Sequence, residues 1–87
     1  MIGQLRQVQH AFYLESHINH TDKDRWRDSR INELFVIVDK TVVTATTMNY
    51  DTNWLKIVTK DGVWFVTERN ILKSSCLLED ILIRNRT

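Results

Sequence analysis

The 87-residue sequence contains no proline, two glycines and a single cysteine, Cys76. One cysteine excludes an internal disulfide framework and is typical of proteins in a reducing compartment. No apolar run approaches the roughly 18 residues of a membrane-spanning helix, and the start Met-Ile-Gly-Gln-Leu-Arg lacks the apolar stretch of a signal peptide. We therefore expect a cytoplasmic protein that has no contact with a membrane.

The sequence also lacks an excess of either charge. It has 12 basic and 11 acidic residues, so its formal net charge is +1. This balance gives no general attraction to nucleic acid or to an anionic membrane surface. The hydrophobic share of 43% is ordinary for a globular protein. The length predicts one domain, residues 1–87, with one modest core.

The segment Trp54–Leu72 carries the clearest structural signal, two stretches of β-branched and aromatic residues separated by Asp61-Gly62. Asp-Gly readily takes the positive φ values of a two-residue hairpin loop. We therefore predict a β-hairpin whose loop is Asp61-Gly62. Counting outward from that loop predicts the pairs Lys60–Val63, Thr59–Trp64, Val58–Phe65 and Ile57–Val66.

The two faces of this hairpin differ in polarity. One is almost wholly apolar, and we predict that it lies in the core. It consists of Leu55, Ile57, Thr59, Trp64 and Val66. The other face mixes lysine with aromatic residues, as a half-exposed surface does. It consists of Trp54, Lys56, Val58, Lys60, Phe65 and Thr67.

The first third of the chain is less regular. In residues 4–16, Leu5, Val8 and Phe12 have helical spacing, whereas Val8, Phe12 and Leu14 fit the alternation of a strand. The run Phe-Tyr-Leu favours a strand, and a helix stays open as the alternative. Residues 17–33 predict a long polar loop, with Thr21 a candidate cap for a helical turn. Long loops in compact domains are often functional.

The remaining segments predict strands and then a helix. Residues 34–48 are rich in β-branched side chains and predict one or two strands, with a turn or bulge at Asp39-Lys40. Residues 49–53 predict a turn cluster. Residues 74–87 predict a short amphipathic helix capped by Ser75, with a strand at Asp80–Arg84 as the alternative.

Short strands, one long polar loop and a tight hairpin are typical of a small closed barrel. Residues 34–72 resemble the Src-homology-3-like barrel, and Gly62–Leu72 (GVWFVTERNIL) carries most of that resemblance. In that fold an aromatic and aliphatic strand leads into one helical turn, after which an apolar residue re-enters the core. Thr67 stands where peptide-binding members usually have proline, so the resemblance implies the architecture and not polyproline recognition.

These observations predict a mainly β protein, a small Src-homology-3-like barrel with a long polar loop at 17–33 and a short C-terminal helix. The loop contains Trp26 between two arginines, and a large aromatic in a polar loop is typical of a contact residue. We predict a protein-binding surface that includes further aromatic side chains. Its residues are Arg25, Trp26, Arg27, Tyr50, Trp54 and Phe65.

A second set of residues predicts a different partner. Lys56, Lys60, Arg69 and Lys73 lie near aromatic residues and are candidates for contact with a nucleic acid. Residues 54–73 have only two more basic than acidic side chains, which is little for a phosphate-binding surface. Solvated strand faces also carry lysine to discourage edge pairing.

We expect no catalytic activity, cofactor or metal. His17 and His20, with Asp22, have a spacing that suits a metal ligand set, but nothing else in the sequence completes it. Cys76 has no neighbouring base that would activate it as a nucleophile.

The sequence favours a small non-catalytic binding module, a protein-interaction or inhibitor protein. Its brevity and barrel resemblance suggest a phage or mobile-element protein that acts on a host protein. The alternative is a barrel that binds RNA or DNA through a basic and aromatic face. Self-association through an exposed barrel edge is compatible with both.

Overall fold

The computed structural model describes residues 1–16, 26–45 and 50–84 of the chain. Seven strands and two helices occupy these residues. The strands are β1 (Leu5–Val8), β2 (Tyr13–Glu15), β3 (Trp26–Asp28), β4 (Leu34–Ala45), β5 (Tyr50–Thr59), β6 (Gly62–Thr67) and β7 (Ser75–Leu77). The helices are α1 (Glu68–Ser74) and α2 (Leu78–Arg84).

The strands form one antiparallel sheet in the order β3-β2-β6-β5-β4-β1-β7. The sheet curls into a half-barrel whose two ends are β3 and β7. This confirms the prediction of a mainly β fold with a short helix near the C-terminus. None of the helices in the described ranges has the length and apolar character needed to cross a membrane.

The core lies in the hollow of the curled sheet. The buried apolar residues come from six elements and from the connection between β1 and β2. They are Val8, Phe12, Leu14, Phe35, Ile37, Leu55, Ile57, Trp64, Val66 and Ile71. Phe12 and Phe35 meet edge to face, with ring centroids 6.1 Å apart. Each fully buried large apolar side chain contributes about 1.5–3 kcal/mol to folding, which makes this cluster the main source of stability.

Residues 4–16 form strands, as the Phe-Tyr-Leu run favours, and the helical alternative is wrong. β1 and β2 are separate because the chain turns between them. The backbone N–H groups of Gln9 and His10 both donate to the carbonyl oxygen of Ser74, at 2.8 and 3.1 Å. Phe12 N–H donates to Ser29 Oγ at 2.8 Å. These bonds satisfy backbone groups that leave the ladder, and they connect the turn to α1 and to the segment after β3.

The β5–β6 hairpin forms, but its register differs from the predicted one by two residues. Thr59 pairs with Gly62 and Ile57 pairs with Trp64, so the loop is Lys60-Asp61. Gly62 supplies the positive φ, 136°, at the position that follows the loop. Because the displacement is an even number of residues, the predicted faces are unchanged. The predicted inner residues are all buried, as the alternation required: Leu55, Ile57, Thr59, Trp64 and Val66.

The segment predicted as a turn cluster at 49–53 is strand from Tyr50 onward. β4 continues to Ala45, and its last four residues pair with residues 50–53 of β5. The predicted irregularity at Asp39 is a bulge, since the register shifts between Ile37 and Asp39. We call residues 42–45 and 50–53 the arm. The chain has a radius of gyration of 13.7 Å, whereas a compact chain of this length has about 12 Å.

The C-terminal prediction is partly wrong. The helix begins at Leu78 rather than after Ser75, because Ser75–Leu77 adds to the sheet as β7 beside β1. Ser75 instead ends α1, and its hydroxyl donates to Ile71 O at 2.5 Å. The helical turn that the resemblance implied after β6 is the seven-residue α1. Its N-cap Thr67 accepts a hydrogen bond from Asn70 N.

Candidate functional site

The curled sheet has two faces of different chemistry, and the alternation of side chains along a strand decides which face a residue occupies. The inner face contacts the core. The outer face is turned away from it. On the described strands, the outer face includes Leu5, Gln7, Tyr13, Glu15, Trp26, Asp28, Leu34, Val36, Asp39, Thr41, Trp54, Lys56, Val58, Val63, Phe65, Thr67 and Cys76.

One strip of the outer face is aliphatic. Val63 of β6 lies opposite Val58 of β5. Val58 lies opposite Val36 of β4, which in turn lies opposite Leu5 of β1. Directly opposed side chains in antiparallel strands are about 5 Å apart, so these four residues form a continuous strip, the aliphatic row. Val63, Val58 and Leu5 are each exposed to about two-fifths or more of their surface.

A neighbouring strip contains aromatic and charged residues. Trp26 of β3 lies opposite Glu15 of β2, and Glu15 lies opposite Phe65 of β6. Phe65 lies opposite Lys56 of β5. Trp54 precedes Lys56 by two residues and lies on the same face. It is therefore a diagonal neighbour of Phe65, at a distance that a large ring can span. We call Trp26, Glu15, Phe65 and Lys56 the aromatic row.

Trp26 is the most exposed aromatic side chain of this face. It is 61% exposed, and Tyr13, on which it rests, is 38% exposed. Their ring centroids are 5.3 Å apart and the planes are inclined by 33°. Ring packing of this kind restrains both side chains before any partner arrives. Large, restrained, amphipathic rings are the side chains that dominate protein–protein interfaces.

Arg27 occupies the opposite face from Trp26 because consecutive strand residues alternate. Its register partner, Leu14, is buried. The Arg27 guanidinium lies 5.1 Å from the centroid of the Trp64 ring. Its Nε and Nη2 each donate to one oxygen of Asp61, both at 2.9 Å. Its Nη1 and Nη2 donate to Glu33 Oε1 and Oε2, at 2.9 and 2.5 Å.

The same network includes the hairpin loop. Trp64 Nε1 donates to Thr59 Oγ1 and to Asp61 Oδ1, at 3.2 Å in both cases. The Thr59 hydroxyl also donates to Asp61 Oδ1. We call Arg27, Glu33, Thr59, Asp61 and Trp64 the Arg27 clasp. It connects β3 to the hairpin loop and to the turn before β4, and so holds the end strand of the sheet in place.

The clasp shifts the pKa of all three of its charged groups. The hydrogen bond to Glu33 raises the pKa of Arg27 well above its ordinary value, although burial opposes the change. Hydrogen bonds from Arg27 and Thr59 hold the pKa of Asp61 well below its usual range. Burial alone would raise the pKa of Glu33, but hydrogen bonds from Arg27 and Arg30 N–H lower it overall. All three groups are therefore charged at neutral pH.

The structure places three of the residues predicted to bind a protein partner on the same face of the sheet. Trp26, Trp54 and Phe65 all lie on the outer face, within adjacent rows. Arg27 does not join them, since it belongs to the clasp on the other face. Arg25 and the side chain of Tyr50 lie outside the described part of the molecule. Most of the polar loop predicted at 17–33 also lies outside it, whereas Trp26–Asp28 is a strand.

The four predicted nucleic-acid contacts are spread over different surfaces. Lys56 is in the aromatic row, and Lys60 is in the exposed hairpin loop. Arg69 and Lys73 are exposed on α1, which packs on the core side through Ile71. A nucleic-acid surface normally concentrates positive charge on one side of the protein. This arrangement does not do so.

Sequence reasoning missed Tyr13 and the aliphatic row. Tyr13 belonged to an ambiguous segment, where neither face had been assigned. The valines at 36, 58 and 63 were each visible as outward positions of a strand, but only the pairing of β4, β5 and β6 aligns them. The partners of Arg27 were also missed, because Glu33 and Asp61 are 6 and 34 residues away from it along the chain.

The residues considered for metal and thiol chemistry lie partly outside the described ranges. No group of three or more His, Cys, Asp or Glu residues is placed to hold a metal ion within residues 1–16, 26–45 and 50–84. His17, His20 and Asp22 lie outside those ranges. Cys76 is half-buried in β7.

Comparison with known proteins leaves the outer face without a precedent. No family model matches the chain, and no curated protein or solved structure matches it either. What this chain binds is therefore inferred from its own residues.

Proposed function

We propose that this chain is a non-catalytic binding module that recognises another protein through the outer face of its sheet. The observation that supports this most is the Trp26–Tyr13 pair. Trp26 is 61% exposed and rests on Tyr13, and the same outer face carries the partly exposed aliphatic row. Exposed apolar surface that is rimmed by charged residues is characteristic of protein interaction sites.

The charge of the outer face favours a protein over a nucleic acid. Glu15 and Asp28 flank Trp26 and Tyr13 in the sheet register. Lys56 is the basic member of the aromatic row. Glu15 is buried, at 7% exposed, whereas Asp28 and Asp39 are exposed. Asp39 lies opposite Lys56 in the register. A phosphate group would therefore meet two carboxylates and one ammonium group there, which disfavours the electrostatic attraction on which nucleic-acid binding depends.

The finer identity stays a proposal from the sequence. We infer a half-barrel relative of the small Src-homology-3-like barrels, in the cytoplasm, of the interaction or inhibitor kind found among small phage and mobile-element proteins. Its target is then a host protein. The hairpin that leads into α1 supports the Src-homology-3-like part of this proposal.

The decisive experiment is affinity capture from lysate of the native host, with and without nuclease treatment. We expect wild type to retain a protein partner after nuclease treatment and Trp26→Ala to lose it. Leu72→Ala is the matched control, because Leu72 is 58% exposed on α1, away from the outer face. Equal retention by wild type and Trp26→Ala contradicts the proposed site. Loss of the partner after nuclease treatment points to nucleic acid instead.

A further inference from the structure

The arm is the part of the sheet that has the least support from other strands. Pairing of β6 with β5 ends at Trp54 opposite Thr67. Pairing of β1 with β4 extends only from Leu34 to Val36. Within the described strands, residues 42–45 and 50–53 therefore pair only with one another. Two-stranded ribbons that lack a third strand or a packed face are marginally stable in water.

The composition of the arm is suited to strand pairing. Residues 41–53 contain one charged residue, Asp51, and seven of the thirteen are valine or threonine. They contain no proline and no glycine. Uncharged segments of high β propensity pair readily with another strand when their edge is open. The absence of lysine and arginine from 41–53 also makes this arm unsuited to DNA or RNA.

The open edge of the arm is longer than the other free edges of the described sheet. On β4 it extends over the four arm residues and the residue before them, Thr41–Ala45, which we call the arm edge. Nearer the body, β4 is protected by the bulge after Ile37 and by Lys40, both common defences against edge pairing. The end strands β3 and β7 have three residues each. β3 carries two charged residues, and β7 is flanked directly by α1 and α2.

We propose that the arm edge pairs antiparallel with the arm edge of a second copy of this chain. The two copies are related by a two-fold axis normal to the sheet, which leaves every side chain on the face that it has in the monomer. Because opposed residues in antiparallel strands share a face, the pairing must be centred on one residue that lies opposite the same residue of the other copy. The centre of Thr41–Ala45 is Val43. The dimer then contains a continuous four-stranded ribbon in the order β5-β4-β4-β5, with Val42 opposite Thr44 of the other copy. Opposed β-branched residues are favourable cross-strand pairs.

A second copy fits this edge better than an unrelated strand does, for two reasons. Two copies of the arm edge have the same length and the same uncharged, β-branched composition. They can therefore pair symmetrically in an isologous contact, without a strand of different sequence. The near-neutral chain, with a net charge of +1, does not repel its own copy. The outer face of the sheet body lies elsewhere, so the dimer leaves the aromatic row accessible. The inference therefore stands independently of the proposed function.

The test uses the full chain in sedimentation equilibrium with a charge swap at Val43. Wild type is expected to dimerise as its concentration rises to about 1 mM, the weak end of measurable affinities. Val43→Lys and Val43→Glu each place like charges about 5 Å apart across the axis. Each variant alone is expected to dimerise more weakly, by on the order of tenfold or more. An equimolar mixture of the two is expected to recover the dimer.

Thr52 provides the matched control, since it is the register partner of Val43 on β5. In the proposed ribbon the two copies of Thr52 are separated by three strand spacings, about 14 Å. That distance exceeds the Debye length of about 8 Å at physiological salt. Thr52→Lys and Thr52→Glu should therefore dimerise as wild type does. If they abolish association while the Val43 variants retain it, the β5 edge is the contact and the proposal is wrong.

A measurement on wild type alone guards against variants that misfold. Amide hydrogen exchange at Thr41–Ala45 is expected to slow as protein concentration rises, because dimerisation occupies N–H groups of the arm edge that bind no other described strand. A wild-type chain that stays monomeric at about 1 mM, with exchange independent of concentration, overturns the proposal.

Discussion

Two tryptophans on opposite faces of the sheet differ in their exposure and in their contacts. Trp64 is 8% exposed, whereas Trp26 is 61% exposed. The indole N–H of Trp64 bonds to Thr59 and Asp61, and its ring receives the Arg27 guanidinium. Trp26 lies on the end strand β3 and packs against Tyr13. The same type of side chain is therefore packed into the fold on one face and exposed to solvent on the other.

This contrast extends to the faces as wholes. Inner positions such as Leu55 and Ile57 are fully buried, while the outer positions next to them are half-exposed or exposed. A substitution on the inner face removes packed contacts and leaves a cavity. One on the outer face removes only surface that already meets water. Stability should depend on the first face and binding on the second.

The largest expected effect tests the inner face directly. Ile57→Ala should lower the free energy of unfolding by about 3–4 kcal/mol, because it removes a fully buried side chain from a packed core. Its neighbour Val58 is 39% exposed on the outer face. Val58→Ala should cost less than about 1 kcal/mol. Urea unfolding of both variants measures the difference, and similar losses would mean that the two faces are not distinct.

The Arg27 clasp should give the next largest effect. Arg27→Gln should lower the free energy of unfolding by about 2 kcal/mol, since the Glu33 carboxylate, only 10% exposed, loses its cationic partner. Arg69→Gln serves as the control, because Arg69 is exposed on α1. Its cost should stay below about 0.5 kcal/mol. Urea unfolding at neutral pH compares the two variants. An equally small loss for Arg27→Gln would mean that the clasp does not contribute to stability.

A smaller effect is expected from acid. The pKa of Asp61 is lowered in the folded state, so its stabilising contribution is complete above the unfolded value of 3.8 and is lost as pH falls through the folded pKa. Asp61 is 41% exposed, which limits that contribution to about 1 kcal/mol or less.

The corresponding measurement is urea unfolding of wild type and Asp61→Asn as a function of pH. Above about pH 5 wild type should be the more stable of the two. The gap should narrow as pH falls below about 4, where the unfolded chain begins to bind a proton that the folded chain does not. A difference in the free energy of unfolding that does not change with pH would show that the charge of Asp61 does not contribute to it.

The smallest expected change in stability belongs to Trp26. Trp26→Ala should alter the free energy of unfolding by about 0.5 kcal/mol, the value of one exposed ring contact. The same substitution should remove partner binding. Thermal unfolding followed by circular dichroism checks the first expectation. A loss of several kcal/mol would assign Trp26 to the fold and not to recognition.

Much of the fold is legible in local patterns. The alternation from Leu55 to Val66 identifies the buried face of the hairpin, and β-branched content identifies β4. The hairpin register is not legible in the same way. Asp-Gly suggests a loop at 61–62, but the loop is at 60–61. The clasp holds Asp61 beside Thr59 and Trp64, and the residue with positive φ is Gly62, which follows the loop. An error of two residues leaves every side chain on its face, so the pattern alone cannot detect it.

The candidate site was legible only in part. Trp26 stands out because a large aromatic in a polar segment has no local explanation, and Trp54 and Phe65 follow from the alternation of the hairpin. Arg27 looked equivalent to Trp26 in sequence, yet strand alternation sends it to the opposite face, where Glu33 and Asp61 bind it. That a strand exists at Trp26–Asp28 depends on β2, which offers it an edge.

The sequence by itself determined the β class, the inner side chains of the central hairpin and the presence of an exposed tryptophan, because period-two burial and chain chemistry are local properties. Only the tertiary structure decided which valines align across three strands, which carboxylates hold Arg27 and how far the arm extends beyond its neighbours. Those features depend on contacts between residues that are distant in the chain. Local sequence patterns do not specify which distant residues come into contact.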